Sequence, residues 1–125
     1  MEYYFKTEKL SVGYHGIPLI EEIEFGIHKG EILTLIGPNG AGKSTILKSI
    51  ARQLEPLGGA VYMENRDLSG FSGQQLSQSM SVVLTDKIRT ELMTCEDVIE
   101  TGRYPYTGRF GVLSRKDHRA VEEAM

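Results

Sequence analysis

Leu10, Val12 and Tyr14 alternate with Ser11 and Gly13, and Ile23, Phe25 and Ile27 alternate with Glu24 and Gly26. A period of two sends one side chain inward and the next outward, so both stretches predict half-buried strands, with YHGIP (14–18) as the turn between them. The run EILTLI (31–36) differs, because four of its six residues are apolar without strict alternation. That is the pattern of a strand covered on both faces of a central sheet. Beyond a glycine-rich stretch, Ile46, Leu47, Ile50, Ala51 and Leu54 recur at helical spacing and mark one apolar stripe. Pro56, Gly58 and Gly59 are the expected stop for that helix.

Farther along, AVYME (60–64) predicts a short strand, GQQLSQ (73–78) a polar helical segment, and SVVL (81–84) a second buried strand. Thr94 stands three residues before Asp97, and Ser114 three before Asp117. These capping signals place helices at about 95–101 and from 115 onward. GRYPYTGRFG (102–111) carries three glycines and a proline and predicts a loop. The last stretch, RKDHRAVEEAM, is helical in pattern and has no Gly, Asn or Pro to end it.

The composition adds limits to this outline. With 125 residues, 40% apolar and 25% charged, the chain has the make-up of one soluble globular domain, without repeats or low-complexity tracts. Its net charge of −3 argues against nucleic acid as the main partner, since phosphate-rich surfaces call for a cationic excess. Half of the Lys and Arg residues follow position 86, a solvated helix face or a local basic patch. Cys95 is the single cysteine, which excludes an internal disulfide and fits a reducing compartment. The N-terminus MEYYFKTEKL is charged too early for a secretory signal, so a cytosolic location is expected. His15, His28 and His118 have no metal-site spacing and predict surface or turn positions.

Chemistry concentrates at GPNGAGKST (37–45), where Gly37, Gly42, Lys43 and Ser44 satisfy GxxxxGK[ST] between the run 31–36 and the helix. Backbone N–H groups of such a loop, comprising Gly37, Pro38, Asn39, Gly40, Ala41 and Gly42, can surround a triphosphate where Cβ atoms would obstruct it. The helix beginning near Lys43 adds unpaired N–H groups and the positive end of its dipole. Lys43 is placed to reach β- and γ-phosphates, Ser44 to offer a hydroxyl to Mg²⁺, and Thr45 to add one near the α-phosphate. The fold class expected is α/β, a P-loop NTPase.

A P-loop alone leaves several enzyme classes open. One is a compact kinase or NTPase in which SVVLTD (81–86) ends on Asp86 as the acid of the Mg²⁺ shell. Another is a non-catalytic module docking through its basic C-terminal segment. The stretch LSVGYHGIPLIEEIEFGIHKGEILTLIGPNGAGKSTILKSI resembles the opening of the ATP-binding cassette of ABC transporters over its whole length. CEDVIETGRYPYTGRFGVLSRKDHRAVEEAM is similar to the segment entering the helical subdomain in importers of the iron-siderophore, haem or cobalamin type. On spacing alone Tyr14, ending a strand, reads as a core residue; the resemblance implies instead that it stacks on adenine.

The resemblance implies further features: ATP and Mg²⁺ as ligands, a membrane permease and a second copy as partners, and a peripheral place on the inner face of the cell membrane. It divides the chain into an antiparallel β region (1–30), a P-loop core (31–85) and the start of a helical subdomain (86–125). The family's metal-sensing glutamine position is occupied by the shorter Thr85. FSGQQ (71–75) imitates the family's signature motif but falls too early for it. The chain thus reads as the N-terminal part of a cassette, without the signature and Walker B segments. Such a part would bind nucleotide weakly, turn over negligibly and self-associate through an uncovered sheet.

Overall fold

Period-two alternation builds a long hairpin of β1 (Phe5–Tyr14) and β2 (Ile17–Ile27) in the computed structural model, which describes residues 2–83, 85, 92–108 and 110–125. The chain divides into two compact units, Met1–Phe71 and Ser72–Met125. In the first, β3 (Gly58–Met63) and β4 (Arg66–Asp67) complete an antiparallel sheet in the order β2-β1-β3-β4. Two-residue turns connect the hairpins. His15 and Gly16 have φ of 53° and 74°, and Glu64 and Asn65 have 52° and 63°. Positive φ at both central residues gives the twist that joins antiparallel strands most directly.

The register is not uniform. From Thr7↔Phe25 to Leu10↔Ile23 strand β1 advances by one residue more than β2, and from Leu10 to Val12↔Ile20 strand β2 repays the difference. Lys9 and Glu22, with φ of 46° and 53°, occupy these irregularities. The extra residue keeps Thr7 and Leu10 on one buried side. The buried Thr7 hydroxyl donates to the Ile23 carbonyl at 2.9 Å and accepts from the Phe25 N–H at 3.1 Å, bridging the broken ladder. Leu10 and Val12 are wholly buried, and Val61, Met63 and Leu68 complete the core.

The glycine-rich stretch leads into α1 (Lys43–Ile50). Its apolar stripe is not the face turned inward. Thr45 and Ser49 are buried, Ile46 and Ile50 are half-buried, and Leu47 is 52% exposed. Gly42, Thr45 and Ser49 recur at i, i+3 and i+7, and these small residues let the helix lie close to the hairpin. The helix also ends before Pro56. Arg52 adopts φ 59°, and the N–H groups of Gln53 and Leu54 return to the Lys48 carbonyl at 2.8 and 3.1 Å. This left-handed stop ordinarily favours glycine. Here the Arg52 guanidinium holds the bend by donating to the carbonyls of Leu68 and Phe71.

Two expected strands are not formed. Residues 31–38 have no regular structure, and Ile32 and Ile36 are 94% and 90% exposed. A doubly covered strand needs a neighbour on each side, and the four strands of the first unit pair only among themselves. Residues 81–83 are likewise irregular, with Val83 exposed, while Leu84 lies outside the described residues.

The second unit comprises α2 (Gly73–Ser79), α3 (Cys95–Glu100), a 3-10 helix (Thr101–Tyr106) and α4 (Arg115–Ala124). Thr94 and Ser114 cap α3 and α4 as their spacing predicts, and Ser72 with Gln75 forms a third capping box on α2. This box accounts for FSGQQ. The expected loop at 102–111 is mostly helical at its start because its carbonyls find partners. Gln74 and Gln78 side chains both donate to the Pro105 carbonyl, at 3.1 and 2.7 Å.

Arg103 stacks over the Tyr106 ring and donates to Asp117 at 2.7 Å. The Ser114 amide, then Arg103, holds the Asp117 carboxyl below its ordinary value of 3.8. A depressed carboxylate stabilises the fold fully above its unfolded pKa and loses that contribution as pH falls through the folded value. The α4 junction is therefore expected to hold at neutral pH and loosen only in acid, below about pH 3.8. Carboxyl NMR titration tests this; an Asp117 pKa at or above 3.8 contradicts it.

Candidate phosphate-binding loop

The loop begins where the irregular segment 31–38 ends. The Ala41 N–H donates to the Pro38 carbonyl at 3.2 Å, closing a turn through Asn39 and Gly40. Gly40 has φ 85° with open space around it. Gly42, the N-cap of α1, has φ 103°. A Cβ on Gly42 would fall 2.6 Å from Ile20 Cδ1 and 3.2 Å from Leu19 Cδ2. Two of the three loop glycines are thus demanded by backbone conformation, one of them by packing as well. Gly37 is different: a Cβ there meets Ala41 and Lys43 at ordinary distances of 3.6 and 3.9 Å.

The start of α1 has no side-chain cap and no acidic residue in its first turn. Its first N–H groups lack intrahelical partners, and the dipole adds partial positive charge at the same point. Lys43 Nζ folds back to donate to the Gly37 carbonyl, so the ammonium spans the mouth of the loop. Ser44 is exposed beside it, as are Pro38, Asn39, Gly40 and Ala41. Open amides, an ammonium and a hydroxyl around one turn form a receptor for an oxyanion. An anion drawing Lys43 off Gly37 would exchange a neutral acceptor for a charged one, which is the stronger hydrogen bond.

Tyr14 lies within reach of this helix. It ends β1, is 44% exposed, and its hydroxyl accepts from Thr45 Oγ1 at 3.5 Å. Thr45 itself is 5% exposed. The structure therefore gathers residues 37–45 with Tyr14, but the Thr45 side chain faces inward, not along the loop. Ile20 and Leu19, which back Gly42, are members of the site that no motif signals. Thr85 is exposed, and Asp86 lies outside the described residues. His15 and His118 are exposed, and the half-buried His28 ring stacks on Tyr3 with centroids 4.6 Å apart. A separate concavity of about 760 Å³ on the sheet is lined by Tyr3, Lys6, Glu8, Lys9 and Glu24. Its Lys6 is already paired with Glu8 at 2.8 Å, and the concavity contains no loop residue.

Residues 20–125 match the family described as ABC transporter. The chain is 45% identical over 95% of its length to an uncharacterized ABC transporter ATP-binding protein of Methanocaldococcus jannaschii, of which it covers 41%. It is 37% identical, again over 95% of its length, to a probable siderophore transport system ATP-binding protein of Bacillus subtilis, of which it covers 43%. Among solved structures, the ATP binding subunit of an ABC transporter superposes with a TM-score of 0.75 at 28% identity. That match covers 93% of this chain and 46% of the other. The chain spans less than half the length of these curated relatives.

Proposed function

Since the chain belongs to the ABC transporter family, we propose that its loop 37–45 binds the phosphates of ATP for the ATP-binding subunit of an importer. The uncapped, acid-free start of α1 facing Lys43 carries this reading. Main-chain N–H groups of Gly37, Asn39, Gly40 and Gly42, with those opening α1, cradle the phosphate chain, while Pro38 has no N–H and accepts from Ala41 to shape the turn. Lys43 leaves the Gly37 carbonyl and neutralises charge at the β- and γ-phosphates, the catalytic contribution assigned to it. Tyr14 presents its exposed ring to adenine.

The exposed Ser44 hydroxyl suits Mg²⁺, a hard cation that takes oxygen ligands from one or two protein groups together with phosphates and water. When bound, the ion neutralises charge on the phosphate oxygens. Thr85 is assigned to the γ-phosphate end of the site.

In the whole protein, two copies would enclose ATP between them and drive a membrane permease from the cytoplasmic face. Among the described residues no helix is long and apolar enough to cross a membrane, so attachment is assigned to that permease. Siderophore import is the proposed transport, by similarity to the Bacillus subtilis relative, with haem and cobalamin as further iron-complex or corrinoid cargoes of the same importer type. The 125-residue chain alone is expected to bind Mg-ATP in preference to GTP, weakly, and to hydrolyse it negligibly. Calorimetric titration with each nucleotide checks the binding. No Mg-dependent affinity for either nucleotide would defeat the proposal.

A further inference from the structure

The chain contains two asparagines, Asn39 and Asn65, and both are exposed. Their surroundings are opposite. Asn65 Nδ2 donates to Glu2 Oε2 at 3.2 Å, and its successor Arg66 carries a long side chain and pairs opposite Met63 in the sheet. Asn39 is followed by Gly40, which has a φ of 85° and open space where a Cβ would stand. Among the described residues no hydrogen bond holds the Asn39 side chain or the Gly40 N–H; the bond closing their turn runs past them, from the Ala41 N–H to the Pro38 carbonyl. The Asn39 amide is therefore untethered beside a main-chain nitrogen that no side chain shields.

We propose that Asn39–Gly40 is a site of spontaneous deamidation whose product closes the phosphate loop. The Gly40 nitrogen, its proton lost to solvent base, attacks Asn39 Cγ. A new N–C bond forms as the Cγ–Nδ2 bond breaks, and ammonia departs. Water then opens the five-membered imide at either carbonyl, giving aspartate in the original main chain or an isoaspartyl link that runs through Cγ. Water is the only co-reactant, and nothing is oxidised or reduced. Either product leaves a carboxylate on the turn that precedes Lys43 and the uncapped, acid-free start of α1. That carboxylate repels an incoming polyanion and offers the ammonium an acceptor within its own chain. The consequence for nucleotide rests on the phosphate reading of the loop. On that reading the Gly40 N–H helps to grip phosphate, so a filled loop occupies the same nitrogen that would attack. The empty loop ages and the filled one lasts.

Peptide mapping by mass spectrometry of the 125-residue chain, kept warm at mildly alkaline pH, reads the site directly. The mass gain of exchanging an amide NH2 for OH, with an isoaspartyl fraction, is expected at Asn39 several-fold sooner than at Asn65, and saturating inorganic tripolyphosphate should slow it. Gly40→Ala should slow it too. Asn39→Gln, which keeps the loop glycine but would need a less favourable six-membered ring, should all but stop it, and serves if the alanine disturbs the loop. Asn39→Asp supplies one product without ageing. In calorimetry it is expected to weaken both Mg-ATP and tripolyphosphate roughly five- to fiftyfold, the scale of one charge set close to several like charges, whereas Asn39→Gln keeps both affinities. Equal ageing of the two asparagines, ageing undiminished by bound tripolyphosphate, or Asn39→Asp binding as the unaltered chain does would overturn the proposal. If the unaltered chain binds neither ligand, the phosphate reading fails and the closure with it, while the mass gain at Asn39 still decides the deamidation site.

Discussion

Replacing Lys43 with alanine is expected to lower the affinity of the chain for Mg-ATP by roughly 10- to 100-fold, the range of about 1.5–3 kcal/mol for a hydrogen bond to a charged group. The loss should extend to inorganic tripolyphosphate, because the ammonium acts on charge and not on the base. Stability should hardly change. The contact that Lys43 makes without ligand, to the Gly37 carbonyl, lies in a largely exposed loop. A helix dipole and amides alone would keep a residual affinity that weakens further as salt rises. Calorimetry on the alanine variant decides the matter, and an unchanged ATP affinity would show that the ammonium never leaves its carbonyl.

The second large effect concerns folding. Gly42→Ala should destabilise the first unit by about 2–6 kcal/mol, combining backbone strain of about 1–3 kcal/mol with crowding of similar size. The strain arises because φ 103° disfavours any side chain, and the crowding because the new methyl meets Ile20 at 2.6 Å. Gly40→Ala is the natural control. It shares a positive φ of 85° but faces open space, so only about 1–2 kcal/mol is expected. Adding Ile20→Ala to Gly42→Ala should relieve the crowding and leave the strain, a coupling that urea denaturation of the four chains would measure. Equal destabilisation by Gly40→Ala and Gly42→Ala would refute the packing role.

The elements legible in the sequence were those governed by local chemistry. The Tyr14–Pro18 turn, the Thr94 and Ser114 caps, the polar helix at 73–79 and the helix starting at Lys43 each depend on a few neighbouring residues. The missed features depend on distant partners. Arg52 ends α1 in a conformation that favours glycine because carbonyls of Leu68 and Phe71 hold its side chain. The bulges at Lys9 and Glu22 leave no mark on the alternation of apolar residues, and Glu64–Asn65 lacks the glycine that would have announced a tight hairpin.

At the candidate site, the motif marked the stretch 37–45 that turns into α1. It could not show that Gly37 needs no glycine conformation, that Thr45 turns toward Tyr14, or that Ile20 supports Gly42. The runs at 31–36 and 81–84 carry the composition of central strands, yet composition alone cannot supply the hydrogen-bonding neighbours that make a strand.

Because α1 turns its small residues toward the hairpin, Leu47 remains outside, and Ile32 and Ile36 on the preceding segment are almost bare. The consequence is colloidal. Hydrodynamic mass should climb with protein concentration and climb faster in sulfate, which penalises exposed hydrocarbon, while serine at Ile32 and Ile36 should flatten both curves. Light scattering that returned a concentration-independent monomer in sulfate would mean that these side chains find shelter within their own chain.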